Sequence, residues 1–149
     1  MDPSQVRERI LSEQDRLLDL LDDAERVAVQ VRNDPEAYPV LHRIAEDLES
    51  ELSEFFDIQE EILEPALRET DAWGDIRAER LAEYLRGQRM AVYAACRQVE
   101  AGELPPWRAA DELEELVHVV RVGLVRAERH FLREDLLRDD LVTIRQTGG

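Results

Sequence analysis

The chain has 149 residues, of which 44% are hydrophobic and 36% charged, and its formal net charge is −16. This length suits one domain with a single hydrophobic core. All 19 basic residues are arginine. A surface this acidic is expected to repel nucleic acid and anionic membranes. We therefore expect neither as a partner.

Cysteine usage and the hydrophobic pattern indicate the compartment. Cys96 is the only cysteine, so no intrachain disulfide can form, which fits a reducing environment. The N-terminal residues lack the basic start and apolar core of a signal peptide. No apolar run approaches the ~20 residues that span a bilayer. We therefore expect a cytoplasmic protein.

The first predicted helix runs from about Pro3 to Arg32. Pro3 suits a first helical turn, and Asp2 is a plausible N-cap. Apolar residues recur every three to four positions along this segment and define an inward-facing stripe. Gln14 lies inside that stripe, where an apolar residue is expected.

The second predicted helix runs from about Pro39 to Glu69, after a break over residues 33–39 that contains two prolines. Its stripe is interrupted by Gln59, one turn beyond Phe55. Pro65 is expected to kink or end this helix, because proline removes a helical hydrogen bond.

The third predicted helix runs from about Ile76 to Glu100. Tyr84 and Gln88 are four residues apart and lie on its inward face. The fourth predicted helix runs from about Trp107 to Leu141, with His130 in its apolar stripe.

Short connections between helices of similar length predict an all-α, up-down-up-down antiparallel four-helix bundle. We assign residues 1–142 to this bundle as one domain and expect residues 143–149 to be a frayed tail. No nucleophile elbow, phosphate-binding loop or dinucleotide fingerprint is present, so the sequence predicts no enzymatic activity.

Each predicted helix carries an inward polar side chain that a plain apolar core would lack. Helix-borne histidines and carboxylates hold metal ions in the cores of such bundles. The residues concerned are Gln14 on the first helix, Gln59 on the second, Tyr84 and Gln88 on the third, and His130 with Glu134 or Asp135 on the fourth.

On these residues the chain resembles the hemerythrin-like (HHE) domain family. Residues 12–17 resemble the helix-one segment of that family, and residues 54–67 resemble its helix-two segment, including the proline. The resemblance covers roughly Val6 to Leu141. It implies a four-helix bundle, and in the family such bundles hold two irons and bind O₂ or related small molecules.

The resemblance also assigns the ligand positions. Gln14 stands at the helix-one histidine, Phe55 and Gln59 at the helix-two histidine and glutamate, and Tyr84 and Gln88 at the two helix-three histidines. His130 and Asp135 match the helix-four pair. A glutamine has no basic nitrogen lone pair and no charge, and phenylalanine cannot ligate a metal. Since two irons need anionic and imidazole ligands, we predict no conventional di-iron centre and no cofactor.

Three functional hypotheses follow from this pattern. The first is a non-enzymatic hemerythrin-like bundle that has lost its di-iron site and acts as a binding, regulatory or scaffolding module. The second is an iron- or O₂-binding protein with a non-standard site around His130 and Asp135. The third is a small ligand bound in the vacated core. The sequence leaves open a protein partner or self-association.

Overall fold

The computed structural model describes residues 1–138, and within them all regular secondary structure is helical. There are four long helices. They are α1 (Pro3–Asn33), α2 (Tyr38–Ile58), α3 (Gly74–Glu100) and α4 (Pro106–Phe131). No helix within residues 1–138 is both long and apolar enough to cross a membrane.

The start of α1 follows the sequence prediction. Pro3 lies in the first turn, and the backbone N–H of Asp2 donates to Gln5 Oε1 at 2.9 Å. This bond satisfies a donor that the helix itself leaves unpaired. A short 3₁₀ turn, Pro35–Ala37, then connects α1 to α2.

Helical structure continues beyond Pro65, so of the predicted kink or end at this proline the structure excludes the end. Beyond α2 the chain forms a π-helical turn, Gln59–Leu63, followed by a short α-helical segment, Glu64–Arg68. In the π turn the N–H of Glu64 donates to the carbonyl of Gln59. Pro65 thus falls in the first turn of the α-helical segment that follows the π turn.

The helices are arranged so that each contacts its neighbours in the chain and α1 also packs against α4. The core between them is made of aliphatic and aromatic side chains with little or no exposure. The largest include Ile10, Leu21, Leu41, Leu48, Leu52, Phe56, Leu63, Leu67, Leu81, Leu85 and Leu113. One contiguous hydrophobic core therefore joins all four helices.

Arginine ion pairs connect the helices at the surface. Arg32 of α1 pairs with Asp111 and Glu114 of α4, and Arg89 of α3 donates to Asp57 of α2 at 2.8 Å. Exposed pairs of this kind contribute about 0.2–1 kcal/mol each, so they tune the packing without creating it.

The fourth helix ends earlier than the sequence predicts. Its last helical hydrogen bond runs from the N–H of Leu132 to Glu128, and Arg7 Nε donates to the Leu132 carbonyl at 2.7 Å. Leu136 and Leu137 are buried and their N–H groups donate to the Arg133 carbonyl, so the chain turns back onto the bundle. The predicted helix end at Leu141, the domain bound at 142 and the frayed tail 143–149 lie outside the described residues.

Candidate functional site

We give the name core polar layer to four side chains that the sequence places inward and that are buried or half-buried in the structure: Gln14, Gln59, Tyr84 and Gln88. Gln14 is 7% exposed and Gln59 is 2% exposed. Tyr84 and Gln88 are half-buried. Phe55, predicted one turn before Gln59, is buried and its ring lies 6.3 Å from that of Phe56. The layer thus draws side chains from α1, α3 and the π turn that extends α2.

Gln14 connects α1 to α4. Its Nε2 donates to Glu128 Oε2 at 3.3 Å, whereas its Oε1 is buried and accepts no hydrogen bond from residues 1–138. Glu128 was missed in the sequence because it falls on an exposed row of α4. Gln14 is thereby half-satisfied, and its neighbour at the edge of the layer is a carboxylate.

Tyr84 and Gln88 lie against a glycine of α4. A Cβ at Gly123 would come within 2.8 Å of Tyr84 Oη and 3.0 Å of Gln88 Nε2. Glycine inside a helix costs about 1 kcal/mol relative to alanine, and here it admits two polar side chains that a methyl group would displace. The sequence analysis missed Gly123, and a glycine inside the apolar stripe of the fourth helix is the signal that could have indicated it.

Gln59 opens the π-helical turn. Its Nε2 is buried and finds no acceptor within the described part of the chain. Gln88 Oε1 is also buried and accepts no hydrogen bond from residues 1–138. The π turn contacts α1 as well as α2. Single π turns inside α-helices occur frequently at functional sites. The layer therefore combines a local helix irregularity with unpaired amide atoms.

Burial raises the pKa of Tyr84 to about 12. The phenol therefore stays protonated and neutral across the physiological range. With three amides and one neutral phenol, the core polar layer itself carries no formal charge.

The predicted placement of His130 in the apolar stripe is wrong. The stripe passes through the buried Ala127 and Phe131, and His130 is exposed near the end of α4. Successive residues are turned about 100° around a helix, so His130 and Phe131 do not project in the same direction, and Phe131 is the buried one of the two. His130 is three residues beyond Ala127 and Phe131 is four residues beyond it. Both spacings fit a helical apolar stripe, so the sequence could not tell which of the two side chains is buried.

The predicted partner carboxylates of His130 also lie outside the core. Asp135 and Glu134 are exposed in the turn that follows α4. Arg133 Nε donates to Asp135 Oδ1 at 3.0 Å, and this hydrogen bond holds the pKa of Asp135 below its usual value. The structure therefore does not bring His130 and Asp135 into the core polar layer.

The side chains present do not fit a di-iron group. The layer consists of amides and a phenol, with the carboxylate of Glu128 bound to Gln14, whereas two irons require several anionic or imidazole ligands to offset their charge. Within residues 1–138, no three histidine, cysteine, aspartate or glutamate side chains lie together in a metal-binding arrangement.

By its fold, this protein is an all-helical bundle of four long helices with amide and phenol side chains in its core. Compared with protein-family models, curated proteins and solved structures, the chain gives no match.

Replacing Gln59 by methionine is expected to raise the free energy of unfolding by about 1 kcal/mol. Methionine has nearly the same shape, and the change removes a buried donor that makes no hydrogen bond. Urea denaturation measures the effect, with Gln98→Met at an exposed position of α3 as the matched control. A loss of 1 kcal/mol or more at Gln59 alone would show that the amide is paired.

Proposed function

We propose that this chain is a non-enzymatic, hemerythrin-like, up-down-up-down four-helix bundle that has lost the usual di-iron site. It acts in the cytoplasm as a binding, regulatory or scaffolding module. The observation that carries the proposal is the core polar layer, in which uncharged amides and a phenol stand where the family pattern has histidines and a glutamate.

Contacts between α1 and α4 support the antiparallel arrangement in this proposal. Arg32 near the end of α1 pairs with Asp111 near the start of α4. At the other end of the pair, Arg7 donates to Leu132 just after α4. Two contacts that join opposite ends of two helices favour helices that run in opposite directions.

The iron-binding alternative would rely on His130 and Asp135. Both are exposed, and Asp135 is already bound to the guanidinium of Arg133. A cation there would compete with that ion pair and would be offered one imidazole and one carboxylate, too few donors for iron. The placement of these two residues therefore favours the metal-free proposal over the alternative.

Thermal unfolding with and without a chelator tests the proposal. A structural metal that binds the folded state stabilises it, so removal of the metal lowers the midpoint. For a metal-free core we expect the same midpoint, within about 1 °C, with and without excess EDTA. A midpoint that falls by several degrees and recovers on adding Fe(II) would refute the loss of the metal site.

A further inference from the structure

A pocket between α3 and α4 concentrates positive charge on this otherwise acidic chain. Its volume is about 400 Å³, within the range of small-molecule sites. Five arginines and one histidine line it: Arg77, Arg80, Arg126, Arg129, His130 and Arg133. No aspartate or glutamate of residues 1–138 contributes to its lining. We call it the basic pocket.

Three of these arginines have no carboxylate partner within residues 1–138. Arg77 donates to both carboxylate oxygens of Asp71, and Arg133 pairs with Asp135. Arg80, Arg126 and Arg129 make no ion pair with any residue of the described range 1–138, although the chain carries 35 acidic residues. Guanidinium groups held together without a counter-charge repel one another, and a bound anion would relieve that repulsion.

The pocket also has an apolar wall. Tyr84, Phe131 and Leu136 contribute to its lining, and the rings of Tyr84 and Phe131 are 6.2 Å apart. Phe131 and Leu136 are buried, so this wall belongs to the packed core and is held in place by it. An anion alone would leave the wall uncovered, whereas a ligand with an organic part would cover it.

We propose that the basic pocket binds a small organic phosphate of the size of a nucleoside diphosphate. Its phosphates contact Arg80, Arg126 and Arg129, and its organic part lies against Tyr84 and Phe131. Guanidinium groups bind phosphate oxygens through paired, charge-assisted hydrogen bonds. This inference rests on the proposed binding function and names its ligand class.

The surrounding charge favours a small ligand over a nucleic acid. Charges are screened beyond about 8–10 Å at physiological salt, so a ligand confined to the pocket interacts mainly with its arginines. A long polyanion would extend onto the acidic remainder of a surface whose net charge is −16 and would be repelled there.

Calorimetric titration of the full chain with ADP at physiological salt tests the proposal, using two triple variants. The pocket variant is Arg80→Gln, Arg126→Gln and Arg129→Gln. The control is Arg43→Gln, Arg86→Gln and Arg108→Gln, which removes three exposed arginines outside the pocket and gives the same net charge. We expect at least about tenfold weaker ADP binding in the pocket variant and less than about twofold change in the control. Equal losses in both variants, or no binding at ~1 mM ADP, would overturn the proposal.

Two further ligands separate the parts of the pocket. Adenosine, which lacks phosphates, is expected to give no binding, and inorganic pyrophosphate is expected to bind more weakly than ADP. Adenosine binding as tightly as ADP would overturn the role of the arginines, and pyrophosphate binding as tightly as ADP would overturn that of the apolar wall. None of the three substituted pocket arginines belongs to the core polar layer. A failure of ADP binding would therefore leave the proposal of a metal-free core intact, and the discovery of a bound metal would leave the proposal of ADP binding intact.

Discussion

Replacement of Gly74 by alanine is expected to lower the free energy of unfolding by about 2–3 kcal/mol. Gly74 is the first residue of α3 and is buried against the end of the preceding helix. A Cβ there would lie 2.3 Å from the carbonyl oxygen of Leu67 and 2.7 Å from that of Arg68. Because both obstacles are backbone atoms, the junction between the short segment Glu64–Arg68 and α3 must shift as a unit. Urea denaturation of the variant measures the loss.

Gly87 supplies the matched control for that substitution. It is exposed in the interior of α3, and a Cβ there meets nothing within 4 Å. Gly87→Ala should therefore stabilise the protein by about 0.5–1 kcal/mol through helix propensity alone. If Gly74→Ala had no more effect than Gly87→Ala, residue 74 could not lie as close to the Leu67 and Arg68 carbonyls as described.

The second large effect is a loss of stability at high pH caused by Tyr84. Its pKa is raised by burial from 10.0 to about 12 in the folded state. Below pH 10 the phenol is neutral in both states and the contribution is constant. Between pH 10 and 12 the unfolded chain releases the proton first, so stability falls by up to about 2–3 kcal/mol. Denaturation at pH 9 and at pH 12 measures this difference.

Tyr84→Phe isolates the contribution of this one phenol. The variant cannot ionise at residue 84, so between pH 9 and pH 12 it should lose about 2 kcal/mol less than the parent protein. Tyr93→Phe, at an exposed position of the same helix, controls for tyrosine ionisation in general. Equal losses in the parent and in Tyr84→Phe would mean that the Tyr84 phenol is not shielded from water.

The helices themselves were largely predictable from the sequence. Caps, prolines and apolar spacing place the first helix at residues 3–32, and it runs from Pro3 to Asn33. The end of α4 was not predictable, because Leu132, Leu136 and Leu137 keep a helical spacing after the helix has stopped. At this helix end the Leu132 carbonyl accepts a hydrogen bond from Arg7 Nε, 125 residues away in sequence, and local spacing cannot report such a contact.

The core polar layer was predictable in part. Gln14 and Gln59 interrupt long apolar stripes, and a polar residue inside such a stripe must be buried if the helix packs. His130 was misplaced because positions three and four residues beyond Ala127 are both close to the stripe. Of these two positions the structure buries Phe131, and His130 is therefore left exposed.

The basic pocket could not be read from the sequence, because its arginines come from two helices and a turn. Arg80 and Arg126 are 46 positions apart (126 − 80) and look like separate solvated residues. A net charge of −16 also directs attention away from positive sites. The pocket forms only when α3 and α4 pack side by side, and this packing cannot be inferred from the amino-acid composition.

In the function that we propose, the core holds an uncharged polar layer in place of a di-iron centre. The most direct test of this claim is the iron content, together with the absorption spectrum, of the full chain purified from iron-replete cells and then loaded anaerobically with Fe(II). We expect substoichiometric iron and a colourless protein without near-UV or visible charge-transfer bands. Two irons bound per chain with such bands would contradict the claim.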